Sequence, residues 1–275
     1  MTANMEGRPV NRRSFVADAV SMLGVAALPV ASRAAPAVSG TFVLIPGAWF
    51  GGWFYDPMAT RLRALGHRVF TPTQTGVGER RHLLSRELTL ETFVTDVANV
   101  LEFEDLNDVI LVGHGSGASV AIGVADRMAD RIRHIVFLDG LLLQGGQRLF
   151  DVVPPDVRGA RERAATERFD GVAFPPPDNY DAMGVSRGPI SDWLRRHATP
   201  HPLGTFESPL PIVHAVGNGR PCTFVAFTAP ALPEVDVSRG LAARQRSWKT
   251  VQIGAGHAGP VVVPDDVVRV LLAVP

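Results

Sequence analysis

The chain has 275 residues, of which 46% are hydrophobic, enough to bury one large core or a core with a cap. Its 27 basic and 27 acidic residues balance, so no excess of charge argues for a nucleic-acid partner. The one cysteine, Cys222, excludes an internal disulfide framework and lies in an apolar run that is typical of a buried thiol.

Residues 1–35 have the features of an export signal. The paired Arg12 and Arg13 precede a modestly apolar stretch and then a run of small residues. This order is typical of a twin-arginine signal, with cleavage after Ala34 or Ala37, and it predicts a periplasmic or secreted protein. An unstructured tail is the alternative. The apolar stretch is too short, and too interrupted by proline, to be a stable membrane anchor.

After this segment, strand patterns alternate with helix patterns. Continuous apolar runs predict buried strands at 41–47, 67–72, 108–113, 133–140, 222–227 and 249–254. Helical spacing predicts helices over 53–65, from Thr89 onward, from Ser116 to near Arg131, around 238–247 and over 262–274. Strands that alternate with helices in this way predict an α/β fold with a doubly wound parallel sheet and right-handed crossovers.

Residues 144–210 differ in composition from the segments on either side. They include QGGQ, VVPPD, FPPPDNYD and TPHPLGTFESPLP, and so much proline and glycine cannot continue a sheet. We therefore predict a core made of residues 36–143 and 211–275, with residues 144–210 inserted as a cap. Because ligands of open α/β sheets bind at the carboxyl ends of the strands, a cap there would enclose a pocket.

Five motifs occur in an order that carries a family resemblance: FVLIPGAWFGGW, TPTQTGVGERRHLLS, VILVGHGSGA, HIVFLDG and GAGHAG. They resemble the α/β-hydrolase superfamily, and within it the small capped esterases related to plant methylesterases and hydroxynitrile lyases. The resemblance covers residues 41–275. It implies the α/β-hydrolase fold and an enzyme that acts on a small carbonyl or ester compound without a cofactor.

The segment VILVGHGSGASVAIGVADR resembles the turn that carries the nucleophilic serine in this family. Aligned without gaps on the family's LVGHSYGG, the serine position falls on Gly115, and Ser116 is the residue after it. The tip of such a turn has a positive φ and needs small residues two before and two after it, which Gly113 and Gly117 supply. With Ser116 at the tip, the bulky His114 would stand two residues before it. We therefore predict Gly115 at the tip and no serine nucleophile.

The resemblance also implies a catalytic base and an acid. His257 in GAGHAG follows the last core strand, where the family places its base. The usual acid position, after CTFVAF, has no carboxylate, so we predict Asp139 at the end of HIVFLDG, where haloalkane dehalogenases and certain lipases place theirs. A carboxylate there would orient the imidazole and stabilise the imidazolium. Glu234 and Asp236 are alternative acids that would reach back through a loop.

The family's oxyanion hole consists of backbone N–H groups after the first strand and just after the nucleophile. By position these belong to Ala48 and Ser116, with Gly117 replacing Ser116 if the serine itself stood at the tip. Because the chain has no HExxH motif, CxxC pair or clustered carboxylates, no metal or other cofactor is expected.

Three functional hypotheses remain open from the sequence. The first is an enzyme in which the His257–Asp139 pair activates water, or removes a substrate proton in a lyase, isomerase or cyclase reaction. The second is a conventional serine esterase or lactonase that uses Ser116. The third is an inactive member that binds a small apolar ligand. In each case the expected partner is a small molecule.

Overall fold

The computed structural model describes residues 39–275. The predicted export signal, with both expected cleavage positions, lies outside the described residues. Within this range the strands, in chain order, are β1 (Thr41–Ile45), β2 (Arg68–Phe70), β3 (Val109–His114), β4 (Ile132–Leu138), β5 (Ala173–Phe174), β6 (His201–Pro202), β7 (Cys222–Phe227) and β8 (Lys249–Ile253). Six of them form a parallel sheet in the order β2-β1-β3-β4-β7-β8, and β5 pairs antiparallel with β6.

The strand order confirms the predicted doubly wound sheet. The chain runs from β1 outward to β2, returns past β1 to β3 and then continues outward to β8. The winding therefore reverses between β1 and β3, which pair from Thr41 opposite Val109 to Ile45 opposite Gly113. Ligands of open α/β sheets bind in the crevice at such a reversal, outside the carboxyl ends of the strands. The crevice here lies between the loop after Ile45 and the turn after His114.

The helices connect these strands or lie in the long segment between β4 and β7. In the described range they are α1 (Asp56–Ala64), α2 (Leu90–Phe103), α3 (Gly117–Met128), α4 (Pro155–Phe169), α5 (Pro189–His197), α6 (Gly204–Glu207), α7 (Asp236–Ala243), α8 (Gly259–Val262) and α9 (Pro264–Leu272). The helix expected from Thr89 is α2, and the Thr89 hydroxyl caps it by accepting a hydrogen bond from the Thr92 N–H at 3.4 Å. Among the described residues, no helix has both the length and the apolar composition needed to cross a bilayer.

Two predicted helices are interrupted in the structure. The one expected over 53–65 begins as a 3₁₀ turn, Gly52–Tyr55, before α1. The one expected over 262–274 is divided into α8 and α9 at Val263, whose φ is −130°. Val263 precedes Pro264, and a residue before proline is sterically disfavoured in helical conformation. Proline itself is well suited to start a helix because its missing N–H would have no partner there.

The core occupies both faces of the sheet. Val43 and Ile45 of β1 pack on the side covered by α2 and α3, whereas Phe42 and Leu44 pack on the side covered by α1 and α9. Every residue of β3 is buried. A strand buried on both faces reads as a continuous apolar run, which is why the sequence located β1 and β3.

The segment 144–210, called the insert below, contains α4 to α6 together with β5 and β6. Neither of its strands joins the six-stranded sheet. Residues of the insert instead line a cleft with the turn after β3 and the loop after β8. The insert therefore contributes one wall of the candidate site.

Candidate active site

The turn after β3 has a glycine in the strained position. Gly115 has a φ of +53°, whereas Ser116 has helical angles of −65° and −23°. The neighbouring glycines allow close packing. A Cβ on Gly113 would lie 2.6 Å from the Ala118 Cα, and a Cβ on Gly117 would lie 2.5 Å from the Ile45 carbonyl oxygen, so neither position has room for a side chain. The backbone therefore turns at Gly115, and Ser116 already belongs to the start of α3.

His257 lies in the loop after β8 and faces this turn. Its Nδ1 is 2.8 Å from Asp139 Oδ2, and both side chains are buried. Because the carboxylate accepts, Nδ1 is the donor, and Nε2 is directed to the other side of the ring. A Cβ on Gly115 would lie 3.1 Å from this Nε2. The predicted hydrogen bond between Asp139 and His257 is thus present, and the free imidazole nitrogen faces the missing side chain of Gly115.

A partner of Asp139 that the sequence did not indicate is Arg239 on α7. Its Nη2 donates to Asp139 Oδ1 at 2.8 Å, and its Nη1 donates to the Leu232 carbonyl oxygen at 3.0 Å. The carboxylate of Asp139 is therefore shared between an imidazole and a guanidinium. A buried charge needs such partners to offset its desolvation. No local pattern distinguishes Arg239 from an ordinary surface arginine of a helix.

The two alternative acids do not contact the imidazole, which corrects that part of the sequence interpretation. Glu234 pairs with Arg161 of the insert, Nη2 to Oε2, at 2.6 Å. Asp236 is mostly exposed and pairs with Arg239 at 2.7 Å. The loop after β7 is therefore held by arginines and does not bring a carboxylate to His257.

His114, the last residue of β3, supports the His257 loop. It is fully buried, and its Nε2 donates to the His257 carbonyl oxygen at 2.8 Å. The two imidazole rings lie 4.3 Å apart, and the ring of Phe54 stacks near His114 at 5.2 Å. Burial lowers the pKa of His114 well below its usual value, because the charged form would be desolvated. His114 is therefore a neutral donor that fixes the backbone of His257.

Two residues that line the cleft, Ala48 and Ser116, have backbone N–H groups without an internal acceptor in the described part of the chain. Among the described residues, none accepts a hydrogen bond from the N–H of Ala48 or of Ser116. The next N–H along, that of Trp49, is already bound to His201 Nδ1 at 3.2 Å. The Trp49 carbonyl oxygen accepts from the Thr199 N–H at 3.0 Å, and Trp49 has a φ of +70°. The insert thus fixes the loop that presents Ala48.

His201 is suited to this contact because it stays neutral. Burial lowers its pKa to about 3, so Nδ1 keeps its lone pair for the Trp49 N–H at ordinary pH. Its Nε2 then carries the proton and lies 3.0 Å from the Thr205 hydroxyl, which donates to the Pro202 carbonyl oxygen at 2.8 Å. No local pattern in the sequence indicated this role, since His201 lies 152 residues from Trp49.

The cleft has a volume of about 120 Å³ and opens to solvent. Its walls combine the turn, the loop after β1, the His257 loop and the insert, and its largest apolar lining residues are Trp49, Phe50, Leu141, Met183, Phe206 and Leu232. Arg161 and Glu234 add one charge of each sign. In the range 39–275, no three histidine, cysteine or carboxylate side chains are arranged to hold a metal ion.

The chain resembles proteins of known family. A family model described as "Alpha/beta hydrolase family" matches residues 42–270. Over 241 residues the chain is 36% identical to "Carbendazim hydrolyzing esterase" of Nocardioides sp. (strain SG-4G), an alignment covering 84% of this chain and 98% of that protein. It is also 31% identical to "Putative methylesterase 14, chloroplastic" of Arabidopsis thaliana, over 46% of this chain and 36% of that protein.

Solved structures share the fold. An extracellular alpha/beta-hydrolase from a Paenibacillus species superposes with a TM-score of 0.72 at 24% identity, covering 85% of this chain and 98% of that chain. Tomato methylketone synthase I superposes with a TM-score of 0.70 at 17% identity, covering 86% and 98%. With the family model spanning residues 42–270 and the sheet wound as described, the chain belongs to the alpha/beta hydrolase family and is an esterase-like enzyme of that family.

Proposed function

We propose that the protein hydrolyses a small ester by activating water directly with His257, without a covalent intermediate. The observation that carries this proposal is the absence of a side chain between Gly115 and His257. A Cβ on Gly115 would lie only 3.1 Å from His257 Nε2, so the base packs against the glycine backbone and no hydroxyl stands between it and the cleft. A water molecule bound to Nε2 from the cleft would then be the group that the base activates, since water needs a polar partner such as this nitrogen.

The steps follow from the positions of the groups. The ester carbonyl oxygen accepts hydrogen bonds from the N–H groups of Ala48 and Ser116, which stabilise the negative charge that develops there. Water attacks the carbonyl carbon while His257 Nε2 takes its proton, and the Asp139 carboxylate stabilises the imidazolium. The tetrahedral intermediate then expels the alcohol, which leaves with the proton from His257. The products are a carboxylic acid and an alcohol.

The geometry favours this route over a nucleophilic Ser116. A serine nucleophile needs its base within hydrogen-bond reach. Within residues 39–275, the Ser116 hydroxyl makes no hydrogen bond to His257 or to any other residue, and its backbone is helical. Under the proposed mechanism residue 116 acts through its N–H group and the side chain is dispensable.

The choice of an ester as substrate is supported by the names of the relatives. The Nocardioides protein is named as an esterase that hydrolyses carbendazim, and the plant proteins are named as putative methylesterases.

The same base, His257, could instead remove a proton from a bound carbonyl compound in a lyase or isomerase reaction. Transfer of ¹⁸O from labelled water into the acid product distinguishes hydrolysis from those reactions, which incorporate none.

A fluorophosphonate probe tests for the absence of an acyl-enzyme. The protein is expected to resist labelling, and Ser116→Ala is expected to change kcat by less than about threefold because alanine keeps the N–H group. Labelling is read by mass spectrometry and turnover on a panel of aromatic methyl esters. Stoichiometric labelling at Ser116, with loss of both labelling and turnover in Ser116→Ala, would show that Ser116 is the nucleophile.

We also propose that the protein is exported and that the insert caps the site in the mature form. The support is the paired Arg12 and Arg13 ahead of an apolar stretch. The mature protein from its native host is expected to begin between residues 35 and 38, as mass spectrometry of its N-terminus would reveal. Cytoplasmic protein that keeps Met1 to Arg33 would contradict export.

A further inference from the structure

The cleft contains an ion pair that the proposed mechanism does not use. Arg161 of α4 and Glu234 of the loop after β7 lie opposite each other with Nη2 and Oε2 2.6 Å apart. The pair is mostly buried, with 12% of the arginine side chain and 21% of the glutamate side chain exposed. Both residues line the same cleft as His257.

The pair leaves no unbalanced positive charge in this part of the cleft. The Arg161 guanidinium is neutralised by Glu234 and lies over the rings of Trp49, Phe174 and Phe206, at 5.3, 5.4 and 5.2 Å from their centres. The carboxylate and the ring faces offset the positive charge of the guanidinium, although its buried Nη1 has no hydrogen-bond partner among the described residues. Because the charge of Arg161 is already balanced, a substrate carboxylate placed beside the pair would be repelled by Glu234.

Glu234 retains hydrogen-bonding capacity. A carboxylate accepts through both oxygens, and only Oε2 has a partner among the described residues. Its neighbours in the cleft include the apolar Leu232 and Val235. The free Oε1 is thus a hydrogen-bond acceptor in surroundings that otherwise favour an apolar ligand. Because Oε1 belongs to a charged group, a hydrogen bond to it is stronger than one between neutral groups.

We propose that Glu234, held in place by Arg161, is a specificity subsite for an uncharged aromatic ester that carries an N–H or O–H donor on its ring. The aromatic body packs on Trp49 and Phe206, and the donor binds the free carboxylate oxygen. The inference rests on the proposed function only for the position of the ester group near His257.

The test uses matched methyl esters and the full-length protein. Methyl 3-aminobenzoate and methyl 4-aminobenzoate have N–H donors, and their N,N-dimethyl counterparts do not. Binding is measured by titration calorimetry in the His257→Ala background, where the esters are not hydrolysed, and kcat/KM is measured with His257 in place. At least one amine is expected to bind about ten- to a hundredfold more tightly than its dimethyl counterpart, as a charge-assisted hydrogen bond requires.

Glu234→Gln keeps the shape of the side chain and removes its charge. The preference for the amine is expected to fall to about twofold, and monomethyl terephthalate, which carries a carboxylate, is expected to bind more tightly than to the unmodified protein because Arg161 has lost its partner. The matched control is Glu162→Gln, also a partner of an arginine on α4 but exposed, which should leave the preference unchanged. If Glu234→Gln does not fold, Glu234→Asp, which withdraws the carboxylate by one methylene, should reduce the preference.

Equal binding of both amines and their dimethyl counterparts, or a preference unchanged in Glu234→Gln, would overturn the subsite. The preference without any ester turnover would support the subsite and overturn the proposed water activation. Turnover of these esters without a preference for the amines would overturn the subsite and leave the proposed ester hydrolysis in place.

Discussion

Replacement of His257 by alanine is expected to lower kcat by about 10² to 10⁴-fold, the usual effect of removing a general base. The imidazole Nε2 is the base that packs against Gly115. Among the described residues, the side chains that bond the Asp139 carboxylate are His257 and Arg239, and the guanidinium of Arg239 cannot act as a base. Because the ester would still contact the apolar walls and the free N–H groups, KM should change by much less than kcat. Steady-state kinetics with an aromatic methyl ester provide the measurement.

A matched control separates this effect from the general loss of a histidine. His214 is half exposed and bonds Asp126 at 3.0 Å, away from the cleft, so His214→Ala should retain normal kcat. Asp139→Asn should lower kcat, since an amide cannot stabilise the imidazolium as a carboxylate does. If His257→Ala kept most of the activity, the histidine would not be the base and water activation at Gly115 would be excluded.

Gly115→Ser is expected to convert the site from direct water attack to covalent chemistry. Its Cβ would lie 3.1 Å from His257 Nε2, so the ring must shift by a few tenths of an ångström, and its hydroxyl would be within reach of the base. Serine at a φ of +53° costs about 1–2 kcal/mol of strain. Fluorophosphonate labelling, absent before the substitution, should become stoichiometric at residue 115.

Gly115→Ala is the matched control for that substitution. It has the same backbone strain and the same Cβ but no hydroxyl, so the methyl group would crowd Nε2 and displace the attacking water without supplying a nucleophile. Gly115→Ala is therefore expected to lose turnover and to resist the probe. If Gly115→Ala retained full activity, the space beside His257 would not hold the attacking water, and the proposed mechanism would be wrong.

The features that the sequence determined are those set by short stretches of chain. β1 and β3 are continuous apolar runs because both faces of the sheet are covered, and such runs can be identified without knowing their neighbours. The turn at Gly115 is equally local. With Gly115 at the tip, the residues two before and two after it are Gly113 and Gly117, and this placement avoids steric clashes. Asp139 and His257 were located by the family resemblance, which places an acid and a base after two strands, and the carboxyl ends of parallel strands meet at one edge.

Only the tertiary structure decided how these groups are held. Arg239 reaches Asp139 across 100 residues of chain, His201 binds the Trp49 N–H across 152, and Arg161 meets Glu234 across 73. Each contact depends on how a helix or the insert packs against the sheet, and the same residue types in the same local sequence are common on protein surfaces. Periodicity records which faces are buried, but it carries no information about which distant side chain satisfies a buried charge or N–H group.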